Sequence, residues 1–412
     1  MISQEYCKSN KIVIQKYGGS SLADIEKINH VACKVAVQIK MGKKVIVVVS
    51  AMGKSTDNLI KIAKCISINP NLRELDMLLA TGEQASAALL TMALHKLKLK
   101  SKSLNAFQTI IYTEGNFSNA RIKNIELKKI LTLIEINDVI VITGFQGLNQ
   151  NGELTTLGRG GSDITAVALA AALKTRCEIY SDVDGIYTID PKLNKNARKL
   201  IYISYDEMLE LASSGAKVLH YRAVEIAKKF NITIYCASTF SDEKGSYVLS
   251  EKNIIEREEI SGLSVSEEQT LVTLRCLPMN YLILKNIFNK LSENGYEYDM
   301  LNLFNSENGS EVSFTIAAVN KDNICNILNK NFNNNISNYK IEFISGYIKL
   351  SIIGIGLKTN PILKDGIIYL LKEIPLRQVI TSEIKIVCLL KKEFKKKALN
   401  ILIRKLKLTN KA

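Results

Sequence analysis

The chain runs to 412 residues, 47% of them hydrophobic and 23% charged, which excludes a disordered chain and is too much for one ordinary domain. Eight cysteines scattered without a C-x-x-C pair, and only His30, His95 and His220, exclude a disulfide scaffold and a zinc site and fit reduced thiols in a cytoplasm. The net charge of +15 comes from lysine spread along the whole chain, with its densest run at Lys391–Lys397 and little aromatic interleaving, so no nucleic-acid partner is expected.

Residues 11–15 (KIVIQ) predict a short buried strand, followed by Lys16-Tyr17-Gly18-Gly19-Ser20-Ser21 and a helix from about Ala23. A strand, a glycine turn and a helix is how α/β proteins hold phosphate, although the spacing is neither G-x-G-x-x-G nor a P-loop. Val45 to Val49 predict a second strand, ending in S-A-M-G-K-S-T-D, residues 50–57. Arg73 to His95 predict a helix containing Thr81-Gly82-Glu83. A glycine there costs about 1 kcal/mol against alanine, which points to close packing or a ligand.

Asp138 to Thr143 predict a third strand, running into Gly144-Phe145-Gln146-Gly147. Then comes T-T-L-G-R-G-G-S-D, residues 155–163, feeding an Ala-rich helix through Leu173. Ser162 stands at the expected N-cap, with Asp163 in the first turn. Three glycines and Arg159 beside a helix start make an anion site.

Glu178 to Ser181 predict a fourth strand leading into D-V-D-G-I-Y-T-I-D-P, residues 182–191. An EF-hand is rejected, because its twelfth position is Leu193 where a bidentate Glu is needed. Ser204 to Phe230 read as helical with a break at Ser213-Ser214-Gly215 and Lys217 just after, and Ile232 to Cys236 as a fifth strand. The polar stretch 241–259 reads as a linker. Beyond it, strands at 269–275, 311–318, 348–353 and 383–389 and helices at 283–294 and 366–373 form a weak internal repeat of two α+β modules, with a basic helix to the end.

The N-terminus shows no secretion signal and no apolar run approaches a membrane span, so no membrane partner is expected. With no Ser-His-Asp set and no metal-ligand cluster, the strand-end cations and glycines describe phosphoryl transfer better than hydrolysis. A carboxylate acceptor, ionised near pH 7, needs no general base.

Together K-Y-G-G-S-S, V-S-A-M-G-K-S-T-D, T-G-E, F-Q-G, T-T-L-G-R-G-G-S-D, Y-S-D-V-D-G-I-Y-T-I-D-P and S-G-A-K-V-L-H resemble the aspartokinases of the amino-acid kinase superfamily, in order from about Lys11 to Phe240. The resemblance implies an amino-acid kinase fold, an open and mostly parallel α/β sheet between helix layers, over residues 1–245. Two ferredoxin-like ACT domains would follow at 262–338 and 342–412. It also implies transfer of the γ-phosphoryl of ATP, with Mg, to the β-carboxylate of L-aspartate.

By position, Lys16 resembles the lysine on the transferred phosphoryl, Lys217 a second phosphate lysine, and Asp163 the aspartate orienting Lys16. Glu83 resembles the residue holding the aspartate α-amino group and Arg159 the one on its carboxylate. Ser50, Thr56, Gly160, Gly161 and Ser162 complete the substrate set. Tyr17, Gly18, Gly19, Ser181, Asp182, Tyr187, Thr188, Asp190, Pro191 and Lys192 resemble the nucleotide pocket.

The tail departs from the family. Leu277-Pro278-Met279-Asn280 stands where the first module carries D-x-P-G, Leu303-Phe304 replace a polar Gln-Asn pair, and Asn360-Pro361-Ile362 replace a Pro-Gly, while Thr381-Ser382-Glu383-Ile384 is kept. Weak or absent inhibition by lysine or threonine is therefore expected, with the modules kept as a dimer interface. Met279 and Met300, the methionines past Met208, fall inside the first module, so a homodimer or higher homo-oligomer is expected in place of a separate small subunit. The alternatives are a kinase for glutamate, acetylglutamate or a nucleotide, and a non-catalytic amino-acid sensor.

Overall fold

The structure, a computed structural model, describes residues 11–216, 218–254, 258–277, 281–306, 309–332 and 340–409. It divides into two compact units, residues 1–187 with 199–257, and residues 188–198 with 258–412.

The first unit is built on an eight-stranded sheet. From one edge its strands are Tyr202–Ser204, Ser246–Leu249, Ile234–Ser238, Cys177–Ser181, Ile12–Tyr17, Lys44–Val49, Val139–Thr143 and Ser101–Leu104. The last six run parallel, and Ser246–Leu249 turns antiparallel against Ile234–Ser238. Val45 through Val49 are all fully buried, as a central parallel strand covered on both faces must be. Val13, Val45, Val47, Val139 and Val141 pack with Val31 and Val35 of helix Ile25–Lys40 and Leu90 and Leu94 of helix Leu72–Lys96. Helix Gly161–Leu173 contacts the strands Ile12–Tyr17, Lys44–Val49 and Cys177–Ser181. Its almost continuous burial explains why its sequence is apolar all round. A smaller four-stranded sheet comprises Arg121–Ile125, Ile111–Glu114, Gln146–Leu148 and Leu154–Thr156.

Two readings change. Gly160, at φ +72°, caps helix Gly161–Leu173, so Ser162 lies inside the first turn and is not the N-cap. The supposed linker contains strand Ser246–Leu249, part of the main sheet. Helix Leu72–Lys96 is long and apolar enough by length and composition to cross a membrane, yet Asp76, Glu83, Ser86 and Thr91 are among its buried residues, which marks a core helix.

The second unit carries a six-stranded antiparallel sheet in the order Asp299–Ser306, Gly309–Ala317, Gly262–Leu277, Lys340–Ile353, Lys385–Lys391, Leu376–Thr381. Its helices are Tyr281–Glu293, Lys321–Phe332, Pro361–Leu370 and Lys395–Lys405, together with the single turn Gly356–Thr359. Segment 188–198 is held inside this unit. The Thr188 carbonyl accepts from the Leu263 amide at 2.7 Å, and the Thr188 hydroxyl donates to the Leu408 carbonyl.

Candidate active site

The parallel strands end on one edge of the sheet, where ligands of open α/β folds bind. There the Ser50 amide donates to the Tyr17 carbonyl at 3.2 Å and the Gly53 amide to the Gly19 carbonyl at 2.9 Å, lacing two strand ends together. A Cβ on Gly19 would stand 2.7 Å from the Ala51 carbonyl, so only glycine fits that crossing.

A cavity of about 260 Å³ opens at this edge. Lys16 enters it from the first strand, Ser50 and Thr56 from the second strand-to-helix turn, and Glu83 from helix Leu72–Lys96. The glycine-rich loop supplies Arg159, Gly160, Gly161, Ser162 and Asp163. Every residue proposed for the substrate thus meets in one place, with Lys16 and Asp163 among them. Gly19, Gly53, Phe145 and Gly158 also line it; Gly19 and Gly158 belong to the glycine turns expected to approach a ligand, whereas Gly53 and Phe145 carry no such expectation.

Lys16 Nζ lies 2.6 Å from Asp163 Oδ1, each side chain 12% exposed. Glu83 Oε1 accepts from the Ala51 amide at 3.0 Å, while Oε2 is buried with no partner among the described residues. Burial pushes the Glu83 carboxyl up to about 7, against the pull of the amide bond. Gly82 explains how Glu83 gets there: a Cβ on it would lie 2.7 Å from the Ala51 Cβ, so glycine lets the helix close onto that turn.

Two supports of the glycine loop carry no motif. Asp76, fully buried about two turns before Glu83 on the same helix face, accepts from the Ser118 and Thr156 amides at 2.8 and 2.7 Å and from their hydroxyls at 2.9 and 2.7 Å. Arg222, from helix Tyr221–Phe230, donates to the carbonyls of Leu157 and Ala120. The seven-residue spacing from Asp76 to Glu83 is the one sequence signal that could mark the first; nothing in the sequence marks the second.

The residues assigned to a nucleotide are less gathered. Gly18 lies beside Lys16, since a Cβ built on it would stand 3.6 Å from Nζ. Tyr17 is fully buried and stacks on Tyr180 with ring centroids 5.1 Å apart, so its ring belongs to the core. The Ser181 hydroxyl accepts from the Val183 amide, and Asp182 accepts from the Ser20 hydroxyl at 3.4 Å. The Tyr187 hydroxyl donates to Asp184, which also pairs with Lys199 at 2.7 Å; burial and Asp184 push the phenol up to about 12. Thr188, Asp190, Pro191 and Lys192 belong to the second unit, where Asp190 accepts from the Lys192 amide. Lys217 lies outside the described residues.

A model of the amino acid kinase family matches residues 11–238. The aspartokinase of Geobacillus stearothermophilus is 43% identical over 380 residues, 91% of this chain and 92% of its own length. Aspartokinase 2 of Bacillus subtilis is 40% identical over 378 residues, again 91% and 92%. Among solved structures, E. coli aspartokinase III in complex with aspartate and ADP gives a TM-score of 0.77 at 22% identity, covering 95% of this chain and 99% of that one, a likeness of fold. The chain belongs to the amino acid kinase family, and within it to the aspartokinases.

Proposed function

We propose that the chain transfers the γ-phosphoryl of ATP to the β-carboxylate of L-aspartate, giving 4-phospho-L-aspartate. The observation that carries this reading is the unpartnered, buried Glu83 oxygen in a cavity that also holds Arg159 and Lys16. Glu83 seats the acceptor's ammonium, Arg159 grips its α-carboxylate, and Ser50, Thr56, Gly160, Gly161 and Ser162 close around it. Two anchors for ammonium and carboxylate leave the second carboxylate as the reacting group, already ionised and needing no base.

ATP supplies the phosphoryl group when bound. Lys16 neutralises the charge that develops on it, and Asp163 holds Lys16 in position. Gly18 and Gly19 let the backbone approach phosphate closely. Magnesium would arrive on the nucleotide's own phosphates and neutralise their charge. Ser181, Asp182 and Tyr187, with Lys217, serve the nucleotide, whereas the Thr188 hydroxyl is already used inside its own unit.

Inhibition by lysine or threonine is weak or absent in this reading. Pro361 opens helix Pro361–Leu370 where a glycine turn would approach an effector, and residues 278–280 of the corresponding first loop lie outside the described ones. The exposed Leu301, Leu303 and Phe304 on edge strand Asp299–Ser306 favour a homo-oligomer formed through this unit, in the cytoplasm.

A hydroxamate assay with ATP and a panel of L-aspartate, L-glutamate and N-acetyl-L-glutamate tests the proposal. Turnover of aspartate is expected to dominate. Preference for N-acetyl-glutamate, which lacks the ammonium, would refute the role of Glu83 and the substrate together.

A further inference from the structure

Arg159 stands between Gly158 and Gly160, both in the left-handed region at φ +76° and +72°. Two such glycines leave a loop mobile unless something outside it holds it. The inner hold is modest, with Leu157 N–H on the Phe145 carbonyl at 2.8 Å and Gly161 N–H on the Gly158 carbonyl at 3.0 Å.

The outer hold is Arg222. One terminal nitrogen of its guanidinium donates to the Leu157 carbonyl at 2.5 Å and the Asn119 side-chain carbonyl at 3.3 Å; the other donates to the Ala120 carbonyl at 2.9 Å. The fork therefore ties the root of the Arg159 loop to the 118–120 turn, and Asp76 links the same two segments through the amides of Thr156 and Ser118. All three acceptors of Arg222 are uncharged, and burial lowers its pKa. Its place in the fold is also locally unfavourable: it occupies the first turn of Tyr221–Phe230, where the helix dipole disfavours a cation and no acidic residue stands. A residue that breaks a local rule and is partly desolvated has a compensating task nearby. The adjacent His220 ring packs under Gly160, where a Cβ would come within 2.2 Å, so the same helix start meets the loop at both ends.

We propose that Arg222 is a positioning residue for the acceptor, acting through the Leu157 carbonyl to set where Arg159 stands. The proposal rests on the reading of Arg159 as the group that grips the acceptor's carboxylate. A lysine could not replace it, because a single ammonium does not span two carbonyls as the planar fork does.

The test is steady-state kinetics of the full chain. Arg222→Ala is expected to raise KM for aspartate about tenfold or more, the scale of a loop misplaced by a fraction of an ångström. KM for ATP should stay unchanged and kcat should change by less than about threefold, since uniform binding is what is lost. Millimolar guanidinium should return the KM of this variant toward the wild type, and Arg222→Lys should resemble Arg222→Ala. If Arg222→Ala does not fold, Arg222→Gln is read for the same KM rise. An unchanged KM for aspartate, or a fall in kcat with thermal stability and no guanidinium rescue, overturns the inference. Arg159→Ala, run alongside, separates the two readings: its unchanged KM for aspartate would sink the acceptor assignment itself, whereas a raised KM there beside a normal Arg222 variant sinks the Arg222 role alone.

Discussion

Lys16 Nζ and Asp163 Oδ1 meet at 2.6 Å across the cavity floor, one from a strand end and one from the first turn of a helix about 150 residues later. Each charge is largely withdrawn from water, so either one alone is costly. Removing one partner of such a pair destabilises by about 3 kcal/mol or more, while removing both is milder. Lys16→Met and Asp163→Asn are each expected to lower stability in urea unfolding, and the double variant to recover most of the loss. Activity should not recover with it. Lys16→Met should lose a factor of about a thousand in kcat whether or not Asp163 is present, because the cavity's other described cation, Arg159, is committed to the acceptor's carboxylate in the proposed reading. Recovered turnover in the stable double variant would show that the lysine only balances a charge.

In the role proposed for it, Glu83 makes acceptor binding depend on pH. Its folded carboxyl titrates at about 7, above the ordinary glutamate range near 4.3, because the side chain is buried. An ammonium ligand binds the ionised form, so KM for aspartate should fall as pH rises from about 6 to 8 and then level off. Glu83→Gln should remove that slope while raising KM throughout. Stability runs the other way. Below about 4 both folded and unfolded states hold the proton; between there and 7 the folded state holds it and the unfolded state does not, so stability declines as pH rises. Glu83→Gln should therefore be more stable than the wild type at pH 8 and close to it at pH 4, as urea unfolding at the two values would record.

The main sheet was readable because its strands are runs of buried β-formers, and the chemistry was readable because phosphate sites need glycine at strand ends. Lys16, Arg159 and Asp163 stand in or beside such glycine turns and Glu83 next to the helix glycine Gly82, and all four line the cavity. What escaped reading depends on packing between distant segments. Strand Arg121–Ile125 is mostly exposed and carries little periodic signal, and Ser246–Leu249 sits in a polar stretch whose Gly245 fits only because a Cβ would strike the Cys236 carbonyl at 2.0 Å. Ser162 looked like a cap by residue type, but Gly160 can take the left-handed turn that leads into the helix and Ser162 cannot do so without strain. Edge strands Asp299–Ser306 and Leu376–Thr381 pair on one side only, which relaxes the alternation that would have announced them.

Asp76 gives a graded prediction. Its Oδ2 serves two backbone amides and its Oδ1 two hydroxyls. An asparagine can keep its carbonyl on the amides and turn its NH₂ toward the hydroxyls, which rotate to accept. Asp76→Asn should thus cost about 1 kcal/mol, the difference between charged and neutral acceptors. Asp76→Ala strands one buried amide, that of Thr156, and one half-buried amide, that of Ser118, and should cost about 3 kcal/mol or more. Thermal unfolding of the pair checks the order, and equal losses would mean that the charge itself, in place of the hydrogen bonds, holds the 118–120 turn.

Gly82 offers the sharpest separation between local preference and tertiary fit. Within a helix, Gly→Ala gains about 1 kcal/mol. Here the new methyl would lie 2.7 Å from the Ala51 Cβ, an atom that cannot swing away because it is fixed to the backbone. Overpacking of that kind costs about 1–3 kcal/mol, so the net should be a loss. The consequence for function is larger than for stability. Pushing helix Leu72–Lys96 outward lengthens the 3.0 Å bond from Ala51 N–H to Glu83 and withdraws that carboxylate from the cavity. Gly82→Ala should therefore raise KM for aspartate about tenfold or more with only a small drop in melting temperature. Gly152→Ala, at φ +74° with nothing within 4 Å, is the matched control: it should lose about 1 kcal/mol through backbone strain and leave KM alone. If Gly82→Ala proves stabilised and kinetically normal, the helix does not need its close approach to Ala51 to deliver Glu83.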